Sequence, residues 1–319
     1  MTHARMSNPL ALILIATLSL LTGCGGGDKD KAKDKSKDAP VKDAPAKDAK
    51  PATAATLRFS AIPSQNATEM VEKFDGFAKY LSGKLGIPVE YVHSVDYAAS
   101  VEAFRQGKIH LAWFGGFTGV QARHLVPGSK AIAFGEEDPS FRSYFIAHQS
   151  TGIEPGEVFP AGIAKFAFCF GSKSSTSGRL MPEHFIRKHS GKTPKDFFTA
   201  EPFFSGSHPK TIELVASGQY PVGVVDYKEW EKAVDAKKVD PAVVRVIWKT
   251  PAYADYNFTV RADVDNVFGA GFTDKLQQVI VDCKDETLLK AFPRKSMIKA
   301  KNEDFDAIRQ VAIDLKLIE

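Results

Sequence analysis

The chain has 319 residues, 44% hydrophobic and 25% charged, with a formal charge of +4; this length allows one large or two modest domains around a core of ordinary size. Residues 1–56 hold nine of the 42 basic side chains and six of the 38 acidic ones, so the remainder is nearly neutral, at +1. So little charge excludes the clustered positive face of a phosphate-backbone binder, and no nucleic-acid partner is expected.

His3 and Arg5 precede an apolar run from Leu10 to Leu21, which ends in Leu21-Thr22-Gly23-Cys24. The run has signal-peptide length and is short for a bilayer span. Small residues before a cysteine at the end of such a segment resemble the bacterial lipobox, in which cleavage leaves that cysteine as a diacylated N-terminus. Residues 1–23 are therefore read as a lipoprotein signal peptide, with an ordinary core segment as the alternative. Each buried lipid methylene is worth about 0.8 kcal/mol, so Cys24 would anchor the product to a membrane without spanning it. Residues 25–56 form a Lys/Asp/Ala/Pro tract without aromatic residues or apolar periodicity. Such a tract cannot bury enough surface to offset ordering, so 24–56 is expected to be a solvated, disordered tether.

With Cys24 lipidated, Cys169 and Cys283 remain, which is no disulfide framework. Cys169 sits in Phe166-Ala167-Phe168-Cys169-Phe170, where a buried free thiol is expected. There is no CxxC, no cysteine-histidine zinc spacing and no HExxH. Neither a metal nor a cofactor is implied.

The body alternates strand and helix. Leu57 to Ile62 reads as a strand, followed by a helix with Met70, Phe74, Phe77 and Leu81 on one face. Val89 to Val92 is the next strand, and Asp96 is placed to cap a helix carrying Val101 and Phe104 that Gly107 ends. A third strand through Ile109, Leu111 and Trp113, a turn at Gly115-Gly116 and a fourth strand from Ala131 to Phe134 complete a βαβαβ order, which predicts a parallel sheet. A second set contains strands at Tyr144–His148, Lys165–Phe170, Val222–Val225 and Val243–Trp248. Its helices follow Gly178, run from Pro209 to Ser217, and start at Tyr227. Asp255 to Arg261 is extended, and two helices finish the chain, the last with Phe305, Ile308, Ala312 and Leu315 on one face. Two α/β lobes follow, residues 57–147 with 255–319 and residues 148–254, crossed by Ser143–His148 and Ala254–Val260.

Ligands of open α/β sheets bind beyond the carboxyl ends of strands, where this chain is rich in small donors. Gly171-Ser172-Lys173-Ser174-Ser175-Thr176-Ser177-Gly178 lies between a strand and a helix, and its amides, hydroxyls and dipole end suit an anion. No Gly-Lys-Ser/Thr closes it, which argues against nucleotide hydrolysis; a plain helix cap is the alternative. Ser205-Gly206-Ser207-His208-Pro209 is a second donor cluster, in which His208 faces a ligand or fills a structural role. Tyr97, at a helix start, could donate its hydroxyl into the cleft or pack; Trp113 is core or cleft wall, and Tyr256 and Asn257 reach the cleft or stiffen the hinge. Asp226 has the Asp-x-x-Glu spacing of a capping box. Beside an oxyanion, however, its carboxylate is tolerated only when the ligand brings a proton to donate, which fully ionised selenate or sulfate cannot do.

Asp96-Tyr97-Ala98-Ala99, Leu111 to Gly116, Ser175-Thr176-Ser177-Gly178-x-x-x-Pro182 and Ser205 to His208, in that order, resemble the phosphate/phosphite/phosphonate family of ABC-transporter substrate-binding proteins. Gly135 to Asp138, Leu180 to Pro182 and Thr250 to Arg261 are most similar to its selenate-binding branch. The resemblance implies a type II periplasmic-binding-protein fold in which two lobes clamp a small tetrahedral oxyanion and deliver it to permease subunits, the protein acting as a monomer and not as an enzyme. It places the ligand contacts on Tyr97, Ser175, Thr176, Ser177, His208 and Asp226. An extracytoplasmic phosphate or sulfate ester hydrolase, and a ligand sensor without transport, are the rival readings. The lipobox reading predicts that Cys24→Ala abolishes incorporation of radiolabelled fatty acid and releases the protein from the membrane fraction.

Overall fold

Two mixed sheets organise the chain, which a computed structural model describes over residues 55–319. The signal segment, Cys24 and nearly all of the tether lie outside the described residues. The first lobe opens with β1 (Leu57–Ala61), α1 (Ala67–Leu85), β2 (Val89–His93), α2 (Tyr97–Arg105), β3 (Leu111–Phe114), α3 (Gly116–Leu125) and β4 (Lys130–Gly135). The second consists of β5 (Ser143–His148), β6 (Phe168–Phe170), a π turn at Thr176–Leu180, α4 (Met181–Ser190), α5 (Pro194–Phe197), β7 (Phe203–Phe204), α6 (His208–Ala216), β8 (Val222–Asp226), α7 (Tyr227–Asp235) and β9 (Val244–Lys249). The chain then returns to the first lobe as β10 (Asn257–Val260), α8 (Val264–Phe268), α9 (Phe272–Val281), α10 (Glu286–Leu289), β11 (Met297–Lys299) and α11 (Asp306–Asp314).

Local chemistry accounts for most of these boundaries. The Asn66 side chain accepts from the Thr68 and Glu69 amides at the start of α1, and Gly86 ends it in the left-handed region at φ 75°. Asp96 Oδ1 takes the Ala99 amide at 2.7 Å and starts α2. The apolar stripe of α1 is buried against β1, where Phe59 meets the rings of Phe74 and Phe77, each at 5.7 Å. On the opposite face, Phe104 of α2 meets Phe114 of β3. Helices on both faces explain why all four residues of β3 are buried rather than alternating. Cys169 and Cys283 are both free and buried, and burial pushes the Cys169 thiol up to about 11.

The first sheet runs in the order β11-β4-β10-β3-β1-β2 and the second β7-β6-β8-β5-β9. The first is mixed rather than parallel. β1 pairs parallel with β2 and β3, but β10 returns from the second lobe antiparallel between β3 and β4, and β11 adds an antiparallel edge. Ser143–His148 is not a crossing either. As β5 it is hydrogen-bonded antiparallel to both β8 and β9, which fixes it inside the second sheet. The actual connections precede β5 and β10 and meet at an antiparallel bridge between Phe141 and Tyr253. The second sheet therefore starts at Ser143.

The Gly115-Gly116 turn is the start of a helix, α3, whose N-cap Gly115 offers no capping side chain. Distant groups supply the caps instead: the Gly116 amide donates to Asp255 Oδ1 at 2.8 Å, and the Phe117 amide to Thr176 Oγ1 at 3.0 Å. The glycine permits this approach, since a Cβ at Gly116 would lie 2.9 Å from the Ala254 carbonyl oxygen. Gly116→Ala is accordingly expected to destabilise the protein by about 1–3 kcal/mol, read from the midpoint of urea unfolding.

Candidate functional site

Each proposed contact residue stands at the start of a helix or at the end of a strand. Tyr97 is the first residue of α2 and His208 the first of α6, while Ser175 caps the π turn and Asp226 ends β8 and caps α7. These N-termini direct the positive end of each dipole to one place. Ser175 Oγ accepts the Gly178 amide at 2.9 Å, leaving the Thr176 and Ser177 amides as the free donors of that turn. The loop is drawn tight against its neighbours, and a Cβ at Gly178 would lie 3.2 Å from the His208 ring. Ser177 is buried, its carbonyl held by the Ser143 hydroxyl at 2.8 Å.

The His208 tautomer follows from its partner. The Asp226 amide donates to Nδ1 at 3.3 Å, so the ring proton resides on Nε2. Burial pushes the ring's pKa down against the pull of Asp226, which keeps the imidazole neutral. Its Nε2 is buried and has no hydrogen-bond partner. The Tyr97 hydroxyl is likewise buried and unpartnered, beside Ser175 and facing Asp226 and Asp255. Burial first, then those two carboxyls, raise its pKa well above the usual phenol range, so it stays a donor. Two unpartnered buried donors are costly unless a ligand completes them.

Asp226 does two things at once. Oδ1 accepts the Lys228 and Glu229 amides at 2.6 and 3.2 Å, which caps α7 without the reciprocal half of a capping box, because the Asp226 amide goes to His208; Oδ2 accepts the Tyr256 hydroxyl at 3.0 Å. Tyr256 thus reaches across from the returning connection, and Trp113 lies behind it, stacked at 5.5 Å and 16°. Asn257 stays within the first lobe, on the Gly115 carbonyl and the Arg123 guanidinium.

Asp255 completes the constellation and went unnoticed in the sequence, where it is one acid in an extended segment. It is 1% exposed; Oδ1 caps α3, and Oδ2 has no partner. Burial raises its pKa to about 8, against the Gly116 amide and the Thr176 hydroxyl, which lower it. Burial thus favours its protonated form, which can donate as well as accept. Glu229, in the first turn of α7, is pushed up to about 7 by burial and then by Asp226. A cavity of about 310 Å³ lies elsewhere, lined by Glu69, Ile212, Lys232 and Ala233, with none of the six contact residues on its wall.

Two lobes, each a mixed sheet, with buried donors facing one another across the junction, define a binding protein that encloses a small polar solute. The chain belongs to the family described as ABC transporter, phosphonate, periplasmic substrate-binding protein, whose model matches residues 59–305. A "Probable ABC transporter phosphite binding protein", PhnD1 of Prochlorococcus marinus (strain MIT 9301), is 36% identical over 270 residues, 82% of this chain and 90% of the relative. The phosphate-import protein PhnD of Mycolicibacterium smegmatis is 28% identical and covers 70% of each chain. The solved structure of Prochlorococcus marinus PhnD1 in complex with methylphosphonate superimposes with a TM-score of 0.78 at 35% identity, covering 82% of this chain and 99% of that one. The fold is thus that of the type II periplasmic binding proteins, and the protein is a substrate-binding component of an ABC importer acting outside the cytoplasm.

The raised pKa of Asp255 makes a stability prediction. Its neutral form is favoured on folding, so its contribution is complete below the unfolded carboxyl value and is lost as pH rises through about 8. Without an oxyanion in the buffer, the Tm advantage of Asp255→Asn over wild type should be near zero at pH 4, grow steadily to pH 8 and then level off.

Proposed function

We propose that the site binds a singly protonated phosphorus oxyanion of the phosphite or phosphonate type, enclosed by movement of the lobes about the two connections, for delivery to permease subunits. The observation that carries this reading is the meeting of two buried unpartnered donors, Tyr97 Oη and His208 Nε2, with the buried carboxyls of Asp226 and Asp255. An anion takes the donors, with the Thr176 and Ser177 amides completing its shell. Its own P–OH proton goes to a carboxylate, most directly Asp226 Oδ2. A fully ionised selenate or sulfate has no proton to give and faces a lone pair, which argues against the selenate-binding branch. The methylphosphonate held by the 35% identical relative supports the same ligand class.

Hydrolysis by a serine–histidine pair is disfavoured, because His208 Nδ1 is occupied by a backbone amide and Nε2 carries the proton, leaving no free base nitrogen. The Cys24 anchor and the 24–56 tether fit this function, since they would hold the receptor near its permease while leaving the lobes in water.

A calorimetric and thermal-shift panel tests the reading. Methylphosphonate and phosphite at about 100 times Kd should raise Tm by roughly 5 °C or more, while sulfate and selenate do not. His208→Ala should weaken methylphosphonate by about 10- to 100-fold through the loss of one hydrogen bond to a charged group. Equal responses to sulfate and methylphosphonate would overturn the proton argument, and no response to any of these anions would overturn the ligand class.

A further inference from the structure

Behind the contact residues lies a buried cation that neither the sequence motifs nor the ligand contacts include. Arg294 belongs to the segment between α10 and β11, and its side chain is 2% exposed. It forks onto Asp138, with Nη2 at 2.7 Å from Oδ1 and Nε at 3.0 Å from both oxygens. Nη1 donates to the carbonyls of Phe292 and Pro293 at 2.8 and 3.2 Å. The guanidinium carbon lies 5.0 Å from the ring centre of Tyr256, 5.3 Å from Phe141 and 5.8 Å from Trp113. The Tyr256 ring is thereby confined by Trp113 stacked against it, Phe141 edge-on at 5.5 Å and the guanidinium.

Asp138 extends the arrangement to both connections. It lies in the first, its Oδ2 accepts the Gly135 amide at 2.7 Å, and its carbonyl accepts the Asp255 amide at 3.1 Å in the second. A Cβ at Gly135 would lie 2.5 Å from Arg294, so the chain is shaped around this side chain. One ion pair thus ties together the C-terminal segment, the first connection and the second connection, immediately beside Tyr256 and Asp255.

We propose that Arg294 is a positioning residue for the oxyanion site, acting through Tyr256: by packing beside both the Tyr256 ring and the Trp113 ring stacked on it, the guanidinium fixes where the hydroxyl meets Asp226, and so where the carboxylate's remaining lone pair points. A guanidinium suits this role because it can fork onto a carboxylate and lie against aromatic rings at the same time, whereas an ammonium carries the same charge without the planar fork. The inference rests on the phosphorus-oxyanion reading above.

A double-mutant cycle tests it, using Arg294→Lys, Tyr256→Phe and both together, with methylphosphonate affinity measured by calorimetry and folding by circular dichroism. Arg294→Lys should weaken binding about tenfold in the wild-type background and less than twofold in the Y256F background, which is the coupling expected of groups acting as one unit. An equal loss in both backgrounds, or no loss, would overturn the proposal. If Arg294→Lys does not fold, the neutral pair Asp138→Asn with Arg294→Gln replaces it in the same cycle, with the same two criteria. Failure of the wild-type protein to bind methylphosphonate would instead strike the ligand reading on which the proposal rests.

Discussion

Placing an anion next to carboxyl groups in a water-poor site is the constraint on which the arrangement turns. Asp226 and Asp255 are both buried where Tyr97 and His208 present unpartnered donors. The proposed contacts include no lysine or arginine, so the positive potential comes from helix N-termini and from neutral donors fixed in direction. That choice favours discrimination. A cation would attract any anion, whereas oriented N–H and O–H groups set against carboxyls reward only a ligand whose donors and acceptors match.

The surroundings keep these groups in the required protonation states. Burial holds His208 neutral and keeps the Tyr97 and Asp255 protons in place. The buried charge of Asp138 is matched by Arg294 through a bidentate pair, in the geometry that offsets the desolvation of both ions. This pair lies against the ring whose hydroxyl reaches Asp226, so structural charge balance and ligand chemistry share the same few residues.

The lobes meet through contacts of two kinds. At the rim, Lys232 and Lys238 of the second lobe lie 3.4 and 3.6 Å from the Glu69 carboxylate of the first, and such partly exposed pairs contribute little. Inside, the Phe117 amide on Thr176 and the Tyr256 hydroxyl on Asp226 are buried. They pair groups that opening of the lobes would return to water. Thr176 and Asp226 are also proposed ligand contacts, so the same residues would register both occupancy and closure.

Much of this was legible in the sequence where the governing interaction is local. The cap of α2 by Asp96, the buried stripe of α1 and the Ser/Thr turn ahead of α4 are each set by residues within about a turn of one another. The α2 cap and the Ser/Thr turn brought Tyr97 and Ser175 into view as candidates, as the Ser205–His208 cluster and the Asp-x-x-Glu spacing did for His208 and Asp226. What escaped depends on partners far apart in the chain. The Gly115-Gly116 turn becomes a helix start because Asp255 and Thr176, 139 and 59 residues away, cap it. β10 lies antiparallel in the first sheet because the chain returns from a second lobe, and β5 belongs to the second sheet because β8 and β9 flank it. Arg294 gives no local signal, since its partner is 156 residues distant. Sequence alone determined the helix caps, the apolar faces and the supply of donors, because those are encoded over a few residues. Tertiary structure decided which donors remain unpaired, which carboxyls share their site and which cation stands behind them, because burial and proximity exist only once the lobes have packed.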